Sequence, residues 1–272
     1  MVFGICQKTK MDWIHFIRSN SHYPHLELFA NNYTDDSFMF DHDYLEQVRA
    51  ESIENNLTLS IHAIQGINLG EKVERIHKVS RDIVYETLVC GEEIGAKWVT
   101  VHLGSAGLSN IDKNKKYKRL DLAINALEEI LSATSNMKIN IAIENLVRLP
   151  PNYGKSRLFD CVEEFEYIFN KLNSERLKVI FDIGHARISS KETENDMSMF
   201  IQEIYKHICA YHVHWNNGFE DTHSPLNNES IKEIARFKHF IADDQPLLFE
   251  CYEQRENEIS MKLLNELMIQ TR

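Results

Sequence analysis

Two kinds of hydrophobic periodicity divide this chain. Short apolar runs rich in β-branched residues, typical of buried strands, recur along its length. Longer stretches with apolar positions three or four residues apart, typical of amphipathic helices, follow nearly all of these runs. The clearest helices cover residues 71–95 and 112–134, and Asp112 is a suitable N-cap for the second. The predicted strands cover residues 2–6, 25–30, 57–63, 98–104, 139–145, 177–185, 207–215 and 246–252.

This alternation predicts an α/β protein with a parallel sheet. Eight strand–helix units in 272 residues indicate a closed (β/α)8 barrel, the TIM-barrel architecture, in a single domain over residues 1–272. An open doubly wound sheet is the alternative. It is disfavoured because no GxGxxG or GxxxxGK[ST] motif follows the first strand.

Composition and charge narrow the class of protein. With 43% hydrophobic and 26% charged residues, the chain is neither disordered, collagen-like nor a small disulfide-stapled domain. No run of 18 apolar residues predicts a membrane span. The net charge of −11 disfavours binding to a long nucleic acid, and the one basic run, KNKKYKR at 113–119, is expected to be a solvated helix start or loop.

Five scattered cysteines without a CxxC motif favour a reducing compartment. The first residues, MVFGICQKTK, place lysines after the apolar run, which is the wrong order for a secretory signal. We therefore expect a cytoplasmic protein.

Metal-type ligands occur at the ends of six predicted strands, and their spacings range from 32 to 42 residues, about one strand–helix unit. In a barrel all six would lie at the C-terminal rim, where active sites of this architecture are found. The alternation within strands agrees, because Ala142 and Glu144 would face the barrel axis while Ile141 and Ile143 face the helices. The six side chains are His62, His102, Glu144, Asp182, His214 and Glu250.

Several carboxylates buried together require a compensating charge, and a divalent cation is the simplest one. Three more donors lie nearby in sequence: His185 follows Asp182 in FDIGHA, and Asp221 and His223 form an Asp-x-His pair after His214. Nine mixed nitrogen and oxygen donors suit one to three ions of zinc, manganese or iron better than calcium.

The motifs LSIHAIQGINLG, VTVHLGSAG, IAIENL, FDIGHARIS, HVHWNNGFEDTHSPL and LLFECYE resemble the consecutive strand ends of the xylose-isomerase-like TIM barrels. That superfamily contains sugar and sugar-phosphate isomerases and epimerases together with type IV apurinic endonucleases. The resemblance covers residues 57–253 and implies a metal centre at the open end of the barrel.

The two branches imply different roles for these residues. In the epimerase and isomerase branch one divalent ion is held by the matches of Glu144, Asp182, His214 and Glu250. There the two glutamates are also the acid/base pair, and the match of His185 contacts substrate. In the endonuclease branch all nine donors hold three zinc ions; the added matches are His62, His102, His185, Asp221 and His223.

The chain departs from both patterns in one loop. After the Asp-x-His pair it reads SPLNNES where both branches carry a glycine-rich stretch. The arginine of ketose epimerases after the strand-seven histidine is replaced by Trp215, Asn216 and Asn217. Asn145 and Asn217 are candidate hydroxyl binders or loop-capping residues, and Trp215 is a packing residue or the floor of the pocket.

The preferred hypothesis is a metal-dependent sugar or sugar-phosphate isomerase or epimerase that moves protons through an enediolate, with Glu144, Glu250 and His185 as catalytic residues. The alternative is a multinuclear zinc phosphoester hydrolase; a barrel without catalytic activity would not need this rim of donors. The expected partner is a small sugar or phosphorylated substrate, and a homo-oligomer is compatible with the apolar outer helices. His212 shares a strand face with His214 and is expected to support the site. Glu27 is expected either to face the site or to pair with an arginine.

Overall fold

Eight parallel strands close into a barrel in the computed structural model, which describes residues 1–30, 41–107, 112–150, 156–193 and 196–269. Each predicted strand run contains one of them. The strands are β1 (Val2–Cys6), β2 (His25–Phe29), β3 (Thr58–His62), β4 (Trp98–Val101), β5 (Asn140–Glu144), β6 (Leu177–Asp182), β7 (Ile208–Val213) and β8 (Pro246–Phe249).

Neighbouring strands in the chain are neighbours in the sheet, and β1 closes the barrel by pairing with β8, for example Phe3 with Leu247. The predicted (β/α)8 barrel is therefore confirmed. A two-stranded antiparallel ribbon of Ser105–Gly107 and Ser156–Arg157 lies outside the barrel sheet.

The helices lie between the strands in sequence, except the last one, which follows β8. They are α1 (Trp13–Ser19), α2 (His42–Glu54), α3 (Glu74–Ile94), α4 (Lys113–Ala133), α5 (Val162–Lys171), α6 (Ile183–Thr193), α7 (Met197–Ile204), α8 (Asn228–Phe237) and α9 (Gln254–Ile269). Asp112 caps α4 as predicted, and the basic run forms the start of that helix. Within the described ranges, none of the helices combines the length and the apolar character needed to cross a membrane.

The two faces of β5 pack into different parts of the core. Ile139, Ile141 and Ile143 belong to the large apolar core between sheet and helices. Ala142 lies instead in a smaller cluster inside the barrel, with Ile180 and Leu248 among its members. The alternation predicted for β5 is therefore confirmed, and it directs the side chain of the last residue of β5 toward the barrel axis.

Candidate metal centre

The donor side chains at the strand ends meet at one rim of the barrel. His62, Glu144 and Asp182 are the last residues of β3, β5 and β6. Because all eight strands are parallel, these ends and the residues directly after the other strands share the C-terminal face. The residues directly after β4, β7 and β8 are His102, His214 and Glu250.

The segments after β6 and β7 contribute three more donors. His185 lies in the first turn of α6, and its Nε2 atom is 3.1 Å from Asp221 Oδ2. His223 Nε2 is 3.4 Å from the same oxygen. His214 Nε2 is 3.1 Å from Asp182 Oδ1 and 3.7 Å from Asp221 Oδ1. The structure therefore brings all nine predicted donors around one space.

Backbone carbonyl groups orient three of the histidine rings. The Nδ1 atoms of His62, His185 and His223 lie 2.8, 2.9 and 3.0 Å from backbone carbonyl oxygens. A carbonyl oxygen only accepts hydrogen bonds, so Nδ1 carries the hydrogen and the neutral ring has its lone pair on Nε2. Each Nε2 atom faces a carboxylate oxygen at 3.1 to 3.4 Å.

This arrangement fits a divalent cation. A lone pair and a carboxylate oxygen repel each other at that distance unless a proton or a metal ion lies between them. Two ligand atoms of one tetrahedral zinc ion, each about 2.0–2.2 Å from it, are separated by about 3.3–3.5 Å. The observed nitrogen–oxygen distances of 3.1 to 3.4 Å are close to this value. Groups of donors whose ligand atoms lie close enough together to hold a metal ion include His62 with His102 and Glu144, and Asp182 with His185 and His214.

Glu144 is surrounded by histidines. Its Oε2 atom lies 2.8 Å from His102 Nε2 and 3.2 Å from His62 Nε2, and its Oε1 atom lies 3.2 Å from His185 Nδ1. Burial disfavours its ionised form, but the charges of His102 and His212 bring the pKa of Glu144 well below its usual value. The carboxylate therefore stays ionised and available as a base or a ligand.

Glu250, directly after β8, faces the same space. Its Oε1 atom is 3.1 Å from His212 Nδ1, and its Oε2 atom is 3.0 Å from Lys8 Nζ. Burial opposes ionisation here as well, but His212 and Lys8 lower the pKa of Glu250. Because His212 Nδ1 is also 3.4 Å from Glu144 Oε1, the two glutamates approach one imidazole nitrogen.

Burial and neighbouring carboxylates also have opposite effects on the pKa values of two histidines of the site. Burial alone would lower the pKa of His185, but Asp182 and Asp221 raise it well above its usual value. For His214, burial is likewise opposed by Asp182, which raises the pKa. The positive charge that these carboxylates require is therefore supplied either by protons on histidines or by metal ions.

A buried polar pair supports the centre from inside the barrel. Glu27 is fully buried and accepts hydrogen bonds from Thr100 Oγ1 at 2.6 Å and Ser60 Oγ at 3.3 Å. His212 Nε2 lies 2.7 Å from Glu27 Oε2. Burial raises the pKa of Glu27, but His212 outweighs it and lowers the pKa to about 2. The suggested arginine partner of Glu27 is thus wrong: His212 occupies that role and links Glu27 to the glutamates of the rim.

A cavity of ≈ 990 Å³ opens above the donors, at the upper end of the range of small-molecule sites. Besides the donors, the cavity is lined by apolar and cationic side chains. These include Lys8, Leu146, Leu149, Pro150, Arg157 and Phe219.

The asparagines considered as hydroxyl binders make backbone contacts instead. Asn145 Nδ2 donates to the carbonyl oxygen of Asp182 at 3.0 Å, and its Oδ1 accepts from the Asp182 amide at 2.8 Å. Asn217 Oδ1 accepts from the amide of Phe219 at 2.8 Å. Trp215 is 2% exposed and packs under the guanidinium group of Arg187, 4.0 Å from its ring centroid, so it is a packing residue.

Lys8 is the functional candidate that sequence reasoning missed. It lies two residues after the end of β1, at the same rim as the donors. That position was a usable signal. However, a lysine after a strand is usually solvated, and its partner Glu250 lies at the other end of the sequence.

The chain is similar to known proteins over most of its length. A family model described as a xylose isomerase-like TIM barrel matches residues 19–265. MJ1311 of Methanocaldococcus jannaschii, an uncharacterized protein, is 27% identical over 175 residues, 64% of this chain and 57% of that protein. MJ1614 of the same organism, also uncharacterized, is 30% identical over 177 residues, 65% of this chain and 63% of that protein. The match thus spans less than two thirds of either relative.

Solved structures share the fold at low identity. A D-tagatose 3-epimerase-like protein has a TM-score of 0.80 at 19% identity, over 99% of this chain and 97% of that one. D-psicose 3-epimerase from Clostridium cellulolyticum, with D-tagatose, has a TM-score of 0.74 at 14% identity, over 99% of each chain. TTHB071 from Thermus thermophilus, soaked with ZnCl2, has a TM-score of 0.75 at 15% identity, over 100% of each chain.

The family model covers most of the chain, and the predicted resemblance is confirmed by it. This chain belongs to the xylose isomerase-like TIM-barrel family.

Proposed function

We propose that this protein is a divalent-metal-dependent sugar or sugar-phosphate isomerase or epimerase. The observation that carries the proposal is the pair of buried glutamates below the cavity. Glu144 and Glu250 come from β5 and from the end of β8, and both face His212 Nδ1, at 3.4 and 3.1 Å. Two carboxylates on different sides of one space can serve as base and acid on one substrate carbon.

The reaction needs one proton removed and one returned. One glutamate removes the proton from the carbon next to the substrate carbonyl, leaving an enediolate. The other glutamate must carry a proton when this step begins; it would deliver that proton to the opposite face of the same carbon, which inverts the carbon. In an isomerisation it would instead protonate the former carbonyl carbon, while the proton of the neighbouring hydroxyl moves to the former carbonyl oxygen, so that the carbonyl shifts by one carbon. His185 lines the cavity, where it would bind a substrate hydroxyl.

The cation would be held by Glu144, Asp182, His214 and Glu250. When bound, it supplies positive charge that polarises the carbonyl and stabilises the charge developing on the substrate oxygens. Sugar epimerases of the same fold, whose names specify D-tagatose, D-psicose and L-ribulose, support ketoses as the substrates to test first.

The test is solvent exchange into those three ketoses. The protein, loaded with Mn²⁺ or Zn²⁺, is incubated with each sugar in D2O, and NMR follows deuterium incorporation beside the carbonyl. Glu144→Gln and Glu250→Gln should each lower the exchange rate by roughly 10²–10⁴-fold, because a glutamine cannot accept the proton. Glu258→Gln, on the exposed face of α9, is the matched control and should exchange at the wild-type rate. Absence of exchange with every ketose in the metal-loaded protein would count against the proposal.

A second candidate is a multinuclear zinc phosphoester hydrolase. The observation in its favour is the separate cluster in which His185 and His223 direct Nε2 atoms at Asp221. A small chromogenic phosphodiester, bis(p-nitrophenyl) phosphate, tests it. Zinc-dependent release of p-nitrophenolate that is lost in Asp221→Asn would support this function, and no release would reject it for this substrate class.

A further inference from the structure

Lys8 places a positive charge inside the donor rim. Its side chain is only 12% exposed and lines the cavity. Its Nζ atom lies 3.0 Å from Glu250 Oε2 and 4.8 Å from the centroid of the Phe29 ring. This is a built position, because a buried carboxylate and an aromatic face hold the ammonium group on two sides.

The ammonium form is the stable one here. The Nζ atom is paired with the buried carboxylate of Glu250 at 3.0 Å, which favours the charged form of Lys8.

Glu144 and Glu250 differ in whether a lysine or arginine contacts them. Glu144 faces the rings of His62 and His102, and among the described residues no lysine or arginine lies within 4.0 Å of it. Glu250, by contrast, also belongs to a cluster with His214 and His223 that could hold metal, yet one of its oxygens is already paired with an ammonium group.

We propose that Lys8 controls how many cations the centre holds, because its ammonium group supplies at Glu250 the positive charge that a further divalent ion would otherwise supply. A divalent ion entering the Glu250 cluster must share the carboxylate with Lys8 and is repelled by it. An ion held by Glu144, His62 and His102 would not share a carboxylate with Lys8. This inference rests on the metal dependence in the proposed function, but not on the reaction.

The experiment measures metal binding rather than turnover. Chelator-stripped wild-type protein, Lys8→Met and Lys8→Arg are titrated with Zn²⁺ and with Mn²⁺ by calorimetry, and bound metal is counted by elemental mass spectrometry after gel filtration. Lys8→Met should bind one more ion per chain, or bind the weakest ion at least roughly tenfold more tightly, because a fixed charge next to a dication is removed. Lys8→Arg keeps the charge and should match the wild type.

Lys191→Met is the matched control. Lys191 Nζ donates to the Asn217 carbonyl oxygen at 2.9 Å and lies over the ring of Phe219, which lines the cavity. This change therefore removes one positive charge beside a lining residue without removing a partner of a donor carboxylate. It should bind metal as the wild type does. Lys8→Gln, neutral but polar, replaces Lys8→Met if that variant does not fold.

The outcomes separate the two proposals. Equal stoichiometry and affinity in wild type, Lys8→Met and Lys8→Gln would overturn the role of Lys8 and leave the metal-dependent function standing. Binding only in the neutral variants would support the role of Lys8 and contradict a metal-dependent wild type. Absence of binding in every protein would overturn both.

Discussion

The position of the His214 ring depends on the absence of a side chain at Gly184. A Cβ atom at Gly184 would lie 2.0 Å from His214 Cε1 and 2.5 Å from its Nδ1 atom, too close for either group to stay in place. Gly184→Ala should therefore displace the ring and weaken Zn²⁺ binding by about 10–100-fold, the usual effect of disturbing a group that positions a ligand. Calorimetric titration of the stripped protein measures it.

Gly66→Ala is the control for that change. The nearest heavy atom to a Cβ at Gly66 is 3.9 Å away, which is ordinary contact. Wild-type zinc affinity in Gly184→Ala, together with a correctly folded barrel, would show that the metal centre does not need the His214 ring in its present place.

For individual residues, the sequence predicted which donor side chains lie together but not which hydrogen bonds orient them. The donor identities could be read from strand ends, because position on a strand determines the direction of a side chain. The Nδ1 contacts of His62 and His185 with backbone carbonyls could not, because they depend on loop backbone that no periodicity describes. The Glu27–His212 pair joins β2 to β7 and was equally out of reach, since either side chain alone is compatible with several partners.

Among the helices, α4 offers the most direct test of a predicted boundary. The Asp112 side chain accepts a hydrogen bond from the Asn114 amide at 3.1 Å, satisfying a donor that has no partner within the helix. Asp112→Ala should lower the free energy of unfolding by about 0.5–2 kcal/mol. Urea denaturation measures the loss, and Asp112→Asn, which keeps the accepting oxygen, should retain most of the stability. An Asp112→Ala variant as stable as the wild type would show that this cap does not stabilise α4.

The end of β6 was predicted too late in the sequence, because α6 begins at the residue directly after it. Residues 177–185 read as one apolar run, but β6 ends at Asp182 and α6 begins at Ile183. The Asp182 carboxylate accepts from the His185 amide at 2.6 Å, the side-chain contact with which helices commonly start. One residue thus ends the strand, starts the helix and faces the centre, and hydrophobicity alone does not separate these roles.

Closure of the barrel creates contacts that no single strand–helix unit contains. The eight strands were predictable because each carries its own pattern, and the shared rim followed from their parallel arrangement. The pairing of β1 with β8 is different, since it brings together the two ends of the sequence. The contact of Lys8 with Glu250 exists only because of that closure, so no local pattern could reveal it.

The barrel also buries a histidine whose protonation should set its acid stability. His25 is 1% exposed; its Nε2 lies 3.0 Å from Ser60 Oγ and its Nδ1 2.7 Å from Thr58 Oγ1, and its ring stacks on Trp98. Burial lowers the pKa of His25 to about 4. The ring is therefore neutral in the folded barrel at a pH where it is protonated in the unfolded chain.

The sign of the effect follows from proton binding. Between pH 6.5 and 4 the unfolded chain binds a proton at His25 that the folded barrel does not bind, so stability is lost as the pH falls. The loss between pH 7.5 and 4.5 should be about 2–3 kcal/mol greater in the wild type than in His25→Gln, which has no such proton to take up. Urea denaturation at both pH values, in the presence of chelator, gives the difference. His22→Gln, at an exposed histidine, is the control for the loss of an imidazole. If the wild type and His25→Gln lose equal free energy of unfolding on acidification, His25 accepts its proton without unfolding the barrel.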